Sequence, residues 1–219
     1  MLKYFSNSKW RFISAALAIL AAVMAIYAHR YAFFPGDLDL TLFLQSYQNQ
    51  ILTGIMQGIS WIFGSWHAIF LIIPTGLLVW WRLGKIEGLL IPAAGLFSLI
   101  NDGLKILINR PRPSSELVQV LSLNDGTGYP SGHAFFTVML LGICIYICLT
   151  HLRNLNLRIF STLILLLLLL LVGISRVYLG AHWPSDVLGG YITGSVFLSI
   201  LIRAFQTYQD IFQCPHSIE

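Results

Sequence analysis

The chain has 219 residues, of which 57% are hydrophobic and only 10% are charged, and its formal net charge is +4. A soluble domain carries charged residues at roughly a quarter of its positions, so this composition excludes an ordinary water-soluble fold. The mean hydropathy of +0.76 indicates a surface that faces hydrocarbon. Because the basic residues of membrane proteins collect in cytoplasmic loops, the positive charge does not indicate a nucleic-acid partner.

Six apolar stretches each approach the length that crosses roughly 30 Å of hydrocarbon. They predict an all-α membrane protein with one domain over residues 1–219, in which six transmembrane helices form a bundle. The predicted spans are 12–28, 66–81, 88–108, 134–150, 159–174 and 187–202. We interpret the first as a retained helix and not a signal peptide, because its apolar core is long and no clean small-residue cleavage site follows.

Between the first two spans, residues 37–64 are less apolar, and they predict an interfacial helix that covers one end of the bundle. Nothing in this region indicates chemistry. In the last span, Gly190 and Gly194 have the spacing of a helix-packing contact. The three cysteines form neither a disulfide framework nor a metal-ligand pattern. They are Cys144, Cys148 and Cys214.

The loop charges predict the orientation in the membrane. If the N-terminus is cytoplasmic, that side collects eight basic residues: Lys3, Lys9, Arg11, Arg82, Lys85, Arg153, Arg158 and Arg203. The other side holds Arg30 and a separate basic cluster of Lys105, Arg110, Arg112 and Arg176. The positive-inside rule therefore predicts that both termini are cytoplasmic. The cluster lies where positive charge is disfavoured, so we expect it to have a function.

Three segments bring reactive side chains to this non-cytoplasmic face: residues 105–113, 130–133 and 175–186. Arg112 and Arg176 offer planar forks of donors that match phosphate oxygens, and Lys105 adds a point charge. Ser131 and Gly132 place a hydroxyl and backbone amides at a predicted helix N-terminus, where anions are favoured. The segments therefore predict a phosphate site.

Two histidines and one carboxylate predict that this site is reactive. His182 and Asp186 are four residues apart, with Pro184 suited to the first helical position. The aspartate can then orient one imidazole nitrogen and raise the basicity of the other, as a nucleophile requires. His133 is predicted to lie on a different helix and is suited to protonate a leaving oxygen.

The motifs, taken together, resemble the type 2 phosphatidic acid phosphatase superfamily. In the first motif, six residues separate a lysine from an Arg-Pro pair. The second motif is Pro-Ser-Gly-His. In the third, five residues separate a Ser-Arg pair from a histidine, and three more separate that histidine from an aspartate. The resemblance implies a metal-independent hydrolase without cofactor that passes through a phosphohistidine. It implies His182 as nucleophile, Asp186 as its partner and His133 as general acid. The implied phosphate ligands are Lys105, Arg112, Ser131, Gly132 and Arg176.

The implied substrate is a phospholipid or polyprenyl phosphate of the undecaprenyl diphosphate, phosphatidylglycerophosphate or phosphatidate class. We expect a multi-pass protein of a bacterial inner membrane whose active site lies on the non-cytoplasmic face; the sequence does not indicate an oligomeric state. Two alternatives remain, a lipid-to-lipid phosphotransferase with the same site and a lipid or anion transporter without hydrolysis.

Four further residues near the motifs are assigned other roles. Arg110 is expected to face lipid headgroups, although its role is open, and Asp102 is expected to pair with Lys105 outside the site. Trp183 is expected to be an interfacial anchor, with the lining of a lipid entrance as the alternative. Ser175 is expected to cap or pack.

Overall fold

The computed structural model describes residues 7–64, 67–122 and 126–212. Within these ranges the chain is helical and has no strand, which confirms the all-α prediction. The helices are α1 (Asn7–Arg30), α2 (Asp37–Gln45), α3 (Gln50–Ile62), α4 (Ile69–Leu83), α5 (Lys85–Ile108), α6 (Gly132–His151), α7 (Leu155–Tyr178) and α8 (Pro184–Phe212).

Five of these helices, α1 and α5 to α8, are long and apolar enough to cross a membrane. The predicted span 66–81 corresponds to α4, which is apolar but has only 15 residues. A helix of that length extends about 22 Å, which is less than the roughly 30 Å of a hydrocarbon core. The sixth span and the orientation of the termini therefore remain predictions.

The helix ends that carry the motifs lie where the sequence predicts them. Helix α5 ends at Ile108, followed by Asn109 in the left-handed region with φ of 49°, because Pro111 cannot continue a helix. Helix α6 begins directly after Ser131. Helix α8 begins at Pro184, as predicted. Two connections, 109–131 between α5 and α6 and 179–183 between α7 and α8, thus bring the polar residues of the motifs to helix ends.

Helix α6 forms the centre of the bundle, because it packs against α5, α7 and α8. Its side chains Phe135, Met139 and Ile143 are completely buried; their spacing of four places them along one face. Apolar side chains on the outer helices stay exposed, for example Phe12 and Leu163. This distribution suits a bundle surrounded by lipid tails, which are as apolar as leucine.

The predicted packing role of the two glycines in α8 is confirmed. A Cβ atom at Gly190 would lie 2.6 Å from the carbonyl oxygen of Ser131 and 2.8 Å from Cβ of Ala134. One at Gly194 would lie 3.0 Å from Cβ of Val138. Glycine therefore allows α8 to approach α6 closely.

Residues 37–64 form two helices, so the prediction of one interfacial helix is wrong in number. Helix α2 follows Gly36, which has φ of 85°, and α3 begins after Asn49, whose side chain accepts the N–H of Leu52. Both helices pack against α7, and α2 also packs against α8. The Gln45 amide donates to the Tyr178 carbonyl at the end of α7. Both helices therefore cover the end of the bundle that holds the motifs.

Candidate functional site

The structure brings the three motif segments together at one end of the bundle. Lys105 lies in the last turn of α5 beside the start of α6, since a Cβ atom at Gly132 would be 3.2 Å from its Nζ. Arg112, in the loop after α5, lies 3.2 Å from Nε2 of His182, measured from its Nη1. Segments that are distant in sequence therefore form one polar pocket.

His182 belongs to this site, in the connection between α7 and α8, and only 1% of its surface is exposed. Its Nδ1 is 3.5 Å from Oδ2 of Asp186, one helical turn away on α8. Its Nε2 faces the guanidinium of Arg112. The ring thus has a carboxylate on one nitrogen and a cation on the other.

Burial and neighbouring cations lower the pKa of His182 well below its ordinary value of 6.5. Desolvation is the largest cause, because burial penalises the charged imidazolium. The positive charges of Arg112, Arg176 and Lys105 lower the pKa further, while a hydrogen bond with the backbone of Gly128 raises it in part. The imidazole is therefore neutral at physiological pH.

Asp186 is completely buried, and its two carboxylate oxygens have different partners. Oδ2, the oxygen nearer His182, accepts the backbone N–H of Trp183 at 3.0 Å. Oδ1 accepts Nη1 of Arg110 at 2.5 Å. The carboxylate is thus fixed on both sides, and it keeps one oxygen directed toward the imidazole.

The expectation that Arg110 faces lipid headgroups is wrong. Only 1% of its surface is exposed, and its guanidinium stacks over the ring of Phe34 at 4.6 Å. Its Nη2 lies 3.2 Å from Oδ2 of Asp37, and its Nε donates to the Tyr31 carbonyl. Arg110 lies in the proline turn after α5, and its side chain points inward. Its charge can be buried there because the carboxylates of Asp37 and Asp186 compensate it.

Among the described residues, the buried polar atoms without a hydrogen-bond partner include three in this site: Oγ of Ser131, Nε of Arg176 and Nδ1 of His182. Nη1 of the same arginine donates to Oγ of Ser60 on α3. Because buried polar groups are normally hydrogen-bonded, a hydroxyl and a guanidinium N–H that lack partners suit a site that binds an oxyanion.

His133 follows Gly132 in the first turn of α6 and is partly exposed. Its ring lies beside the backbone of Ser60 and within electrostatic range of His182 and Arg176. The Asp186 carboxylate is paired with the other histidine, His182. The two histidines therefore lie on different segments of the chain, and Asp186 contacts His182.

Three other sequence interpretations have clear outcomes. Trp183 is buried and packs on Phe33, with ring centroids 5.4 Å apart, so neither the interfacial anchor nor the lining of a lipid entrance is correct. Asp102 pairs with Lys105 at 3.8 Å, as predicted, and its side chain is 65% exposed. The Ser175 hydroxyl donates to the Val172 carbonyl within α7, which confirms a packing role.

Sequence reasoning missed Asp37, Ser60 and Ser185, which contact the pocket residues from behind. Asp37 belongs to a region in which no chemistry was expected, yet it is 3% exposed and accepts both the N–H and the hydroxyl of Ser185. A carboxylate at the start of a helix was the available signal. No group of three or more potential metal ligands is found among the residues that the structure describes.

Comparison with known proteins gives a consistent result. The family model of the PAP2 superfamily matches residues 88–210. Phosphatidylglycerophosphatase B of Bacillus subtilis (strain 168) is 32% identical over 167 residues, which cover 75% of this chain and 78% of that protein. Lipid phosphate phosphatase delta of Arabidopsis thaliana is 23% identical over 193 residues, 84% of this chain but 45% of that protein.

A solved structure is also similar. The crystal structure of the first transmembrane PAP2 type phosphatidylglycerolphosphate phosphatase from Bacillus subtilis aligns with a TM-score of 0.76 at 26% sequence identity. The alignment covers 94% of this chain and 98% of that chain. The likeness therefore extends over nearly the whole bundle and beyond the region that the family model matches.

Proposed function

This chain belongs to the PAP2 superfamily, and its matched relatives include phosphatases of lipid phosphates; we propose that it hydrolyses a membrane lipid phosphate through a phosphohistidine on His182. The observation that carries this proposal is the position of His182 between Asp186 and Arg112. A neutral imidazole with a carboxylate behind it is a nucleophile, and a cation in front of it attracts the phosphate.

In the first step, Nε2 of His182 attacks phosphorus and the bond between phosphorus and the lipid oxygen breaks. The Asp186 carboxylate, 3.5 Å from Nδ1 of the ring, stabilises the positive charge that develops there. His133 donates a proton to the leaving oxygen, so the lipid departs as an alcohol or as a lower phosphate. The products of this step are the dephosphorylated lipid and a phosphohistidine.

In the second step, a water molecule attacks phosphorus from the side that the lipid oxygen has left. His133, now deprotonated, accepts a proton from this water, and the bond between nitrogen and phosphorus breaks. Inorganic phosphate is released and His182 returns to its neutral state. One residue thus acts as acid and then as base, which requires no metal ion.

Five groups are proposed to hold the phosphate, and we name them the phosphate cradle. They are Lys105, Arg112, Ser131, the Gly132 amide and Arg176. The unpartnered Ser131 hydroxyl and Arg176 Nε support this assignment, because an equatorial phosphate oxygen supplies the acceptor that each lacks. Preorganised donors of this kind stabilise the charge of the transition state.

We propose phosphatidylglycerophosphate as the substrate, and the outer face of a bacterial inner membrane as the location of the reaction. The relative with 32% identity and the solved structure with a TM-score of 0.76 are both described as phosphatases of this lipid. The orientation rests on the basic residues of the loops.

The proposal is tested by phosphate release from purified protein in detergent, in the presence of a chelator. Phosphatidylglycerophosphate, phosphatidate and undecaprenyl diphosphate are supplied in parallel. We expect the first to give the highest kcat/KM, with no loss of activity in chelator. A higher kcat/KM for another lipid would contradict the substrate, and activity that chelator removes and magnesium restores would contradict the metal-independent reaction.

A further inference from the structure

We propose that Asp37 and Arg110 are positioning residues for the reaction, which act on His182 through Asp186. With Asp186 they form a buried set of charges that we name the Asp–Arg–Asp cluster. This inference rests on the proposed function, because it assigns a role to residues behind the proposed nucleophile.

The contacts of Arg110 connect the two carboxylates. Its Nη1 donates to Oδ1 of Asp186 at 2.5 Å and to the Ser185 hydroxyl at 2.8 Å. Its Nη2 donates to Oδ2 of Asp37 at 3.2 Å. The Ser185 hydroxyl in turn donates to Oδ2 of Asp37 at 2.5 Å. The fork of the guanidinium thus fixes the Asp186 carboxylate relative to α2.

The charges of the cluster explain why a second carboxylate is needed. Two carboxylates and one guanidinium leave one net negative charge when all are ionised. If Asp37 were neutral, the charge of Arg110 would cancel that of Asp186, and the imidazole of His182 would lose its compensating anion. In a buried site this loss is large, because charges interact strongly at low effective dielectric. Asp37 therefore leaves the charge of Asp186 available to His182.

Asp37 also has a structural contact. Its Oδ1 accepts the N–H of Ser185 at 2.8 Å, in the first turn of α8, where backbone donors have no partner within the helix. A purely structural role would change stability and the amount of active protein. It would not change the ratio of the inhibition constants of two anions that bind the same site in the remaining active molecules. A change in that ratio therefore separates a positioning role from a structural one.

The test compares two inhibitors of phosphate release, vanadate and inorganic phosphate. Vanadate forms a bond to the nucleophilic nitrogen, so its inhibition constant depends on the Asp186–His182 pair. Inorganic phosphate binds the phosphate cradle without that bond. The variants are Asp37→Asn and, as the matched control, Asp39→Asn, which changes an exposed carboxylate two residues away on the same helix. Inhibition constants do not depend on the fraction of folded protein.

We expect Asp37→Asn to weaken vanadate inhibition by about 10-fold or more and to lower kcat by about 10- to 100-fold, the effect typical of losing the partner that orients a reactive group. The inhibition constant of phosphate and KM should change less than about threefold, and Asp39→Asn should resemble the wild type. Equal weakening of both inhibitors, or no change in either, would overturn the role of Asp37.

If Asp37→Asn does not fold, Ser185→Ala removes only the hydroxyl that joins Asp37 to Arg110. It should shift the ratio of the two inhibition constants in the same direction by a smaller factor, and an unchanged ratio would overturn the inference. A wild-type protein that vanadate does not inhibit would overturn the phosphohistidine itself, and the inference with it. The two failures are therefore distinguishable.

Discussion

The chemistry of His182 follows from its surroundings more than from its identity as a histidine. An exposed histidine is partly protonated near neutral pH, and a protonated ring cannot attack phosphorus. Burial and the cations Arg112, Arg176 and Lys105 keep the pKa of this ring well below 6.5, and a hydrogen bond with the backbone of Gly128 opposes them only in part. The cations that are proposed to bind the phosphate therefore also keep the proposed nucleophile neutral.

This environment predicts the pH dependence of the reaction. As pH falls through the lowered pKa of His182, the ring gains a proton and activity is lost, so the acid limb of kcat/KM should lie below pH 6.5. Arg112→Gln removes one of the cations that lower this pKa. The acid limb of its residual activity should move upward, toward 6.5. The measurement is kcat/KM from pH 4 to 8 for both proteins.

A wild-type acid limb at or above pH 6.5 would show that the buried environment of His182 does not control the reaction. The stability of the folded protein should also decrease as pH falls. The unfolded chain, with a histidine pKa of about 6.5, binds a proton that the folded protein excludes. The contribution of His182 to stability is therefore complete above pH 6.5 and is lost as pH falls through the window between the two pKa values.

The residues inside the motifs were predictable from the sequence, whereas the burial of their neighbours and the distant residues that contact them were not. The place of Lys105 beside the start of α6 follows from the spacing of the motifs, and spacing is visible in the sequence. Arg110 is buried only because Asp37, 73 residues away, supplies a second carboxylate. Trp183 is buried because Phe33 packs against it. Burial that depends on such distant partners has no local signal in the sequence.

At the scale of the elements, the site depends on how closely α8 approaches α6. Ser131, at the start of α6, donates its N–H to the carbonyl of Asp186 on α8 at 3.0 Å. Gly190, one turn further along α8, leaves room for the carbonyl of the same serine. The segment that contains His182 and Asp186 and the Pro-Ser-Gly-His segment are therefore held together by backbone contacts.

Substitution of this glycine tests the packing. In Gly190→Ala the added methyl group would lie 2.6 Å from the Ser131 oxygen, so we expect overpacking to cost about 1–3 kcal/mol. The control is Gly103→Ala on α5, where nothing lies within 4 Å, and where alanine should be neutral or stabilising by up to about 1 kcal/mol. Thermal unfolding in detergent measures both. Equal transitions for the two variants would contradict the close approach.

The boundaries of the elements were predictable where proline and glycine mark them. Pro111 ends α5 and Pro184 begins α8 because each restricts the backbone locally. The division of residues 37–64 was missed, although Asn49 is a typical N-cap residue and accepts the N–H of Leu52. That region lacks a continuous apolar run, and a reading based on apolar runs does not divide it.

At the scale of the whole molecule, the charge distribution and the active site are related. Most basic residues of the loops lie on the side predicted to be cytoplasmic, while the basic residues of the pocket lie at the opposite end, with one arginine inside the Asp–Arg–Asp cluster. With the predicted orientation, we propose that the phosphate cradle lies at headgroup depth in the outer leaflet. A lipid can then reach it without its tails leaving the membrane.

The orientation is tested by labelling single cysteines in intact cells with a thiol reagent that does not cross membranes. The background carries Cys→Ser at positions 144, 148 and 214. Ser114→Cys lies in the loop after α5, and Asn156→Cys lies at the exposed start of α7. We expect the first to be labelled in intact cells, and the second only after the membrane is permeabilised. The reverse pattern would place the site on the cytoplasmic face.

The central claim is that phosphate passes through His182, and trapping the phosphoenzyme tests it most directly. Purified protein is mixed with radiolabelled phosphatidylglycerophosphate, quenched in base within one turnover, and digested to locate the label. We predict label on the peptide that contains His182, stable in base and lost in acid, and neither label nor phosphate release in His182→Ala. The matched control His151→Ala, at an exposed position, should behave like the wild type. Phosphate release by folded His182→Ala, or label on another residue, would contradict the account.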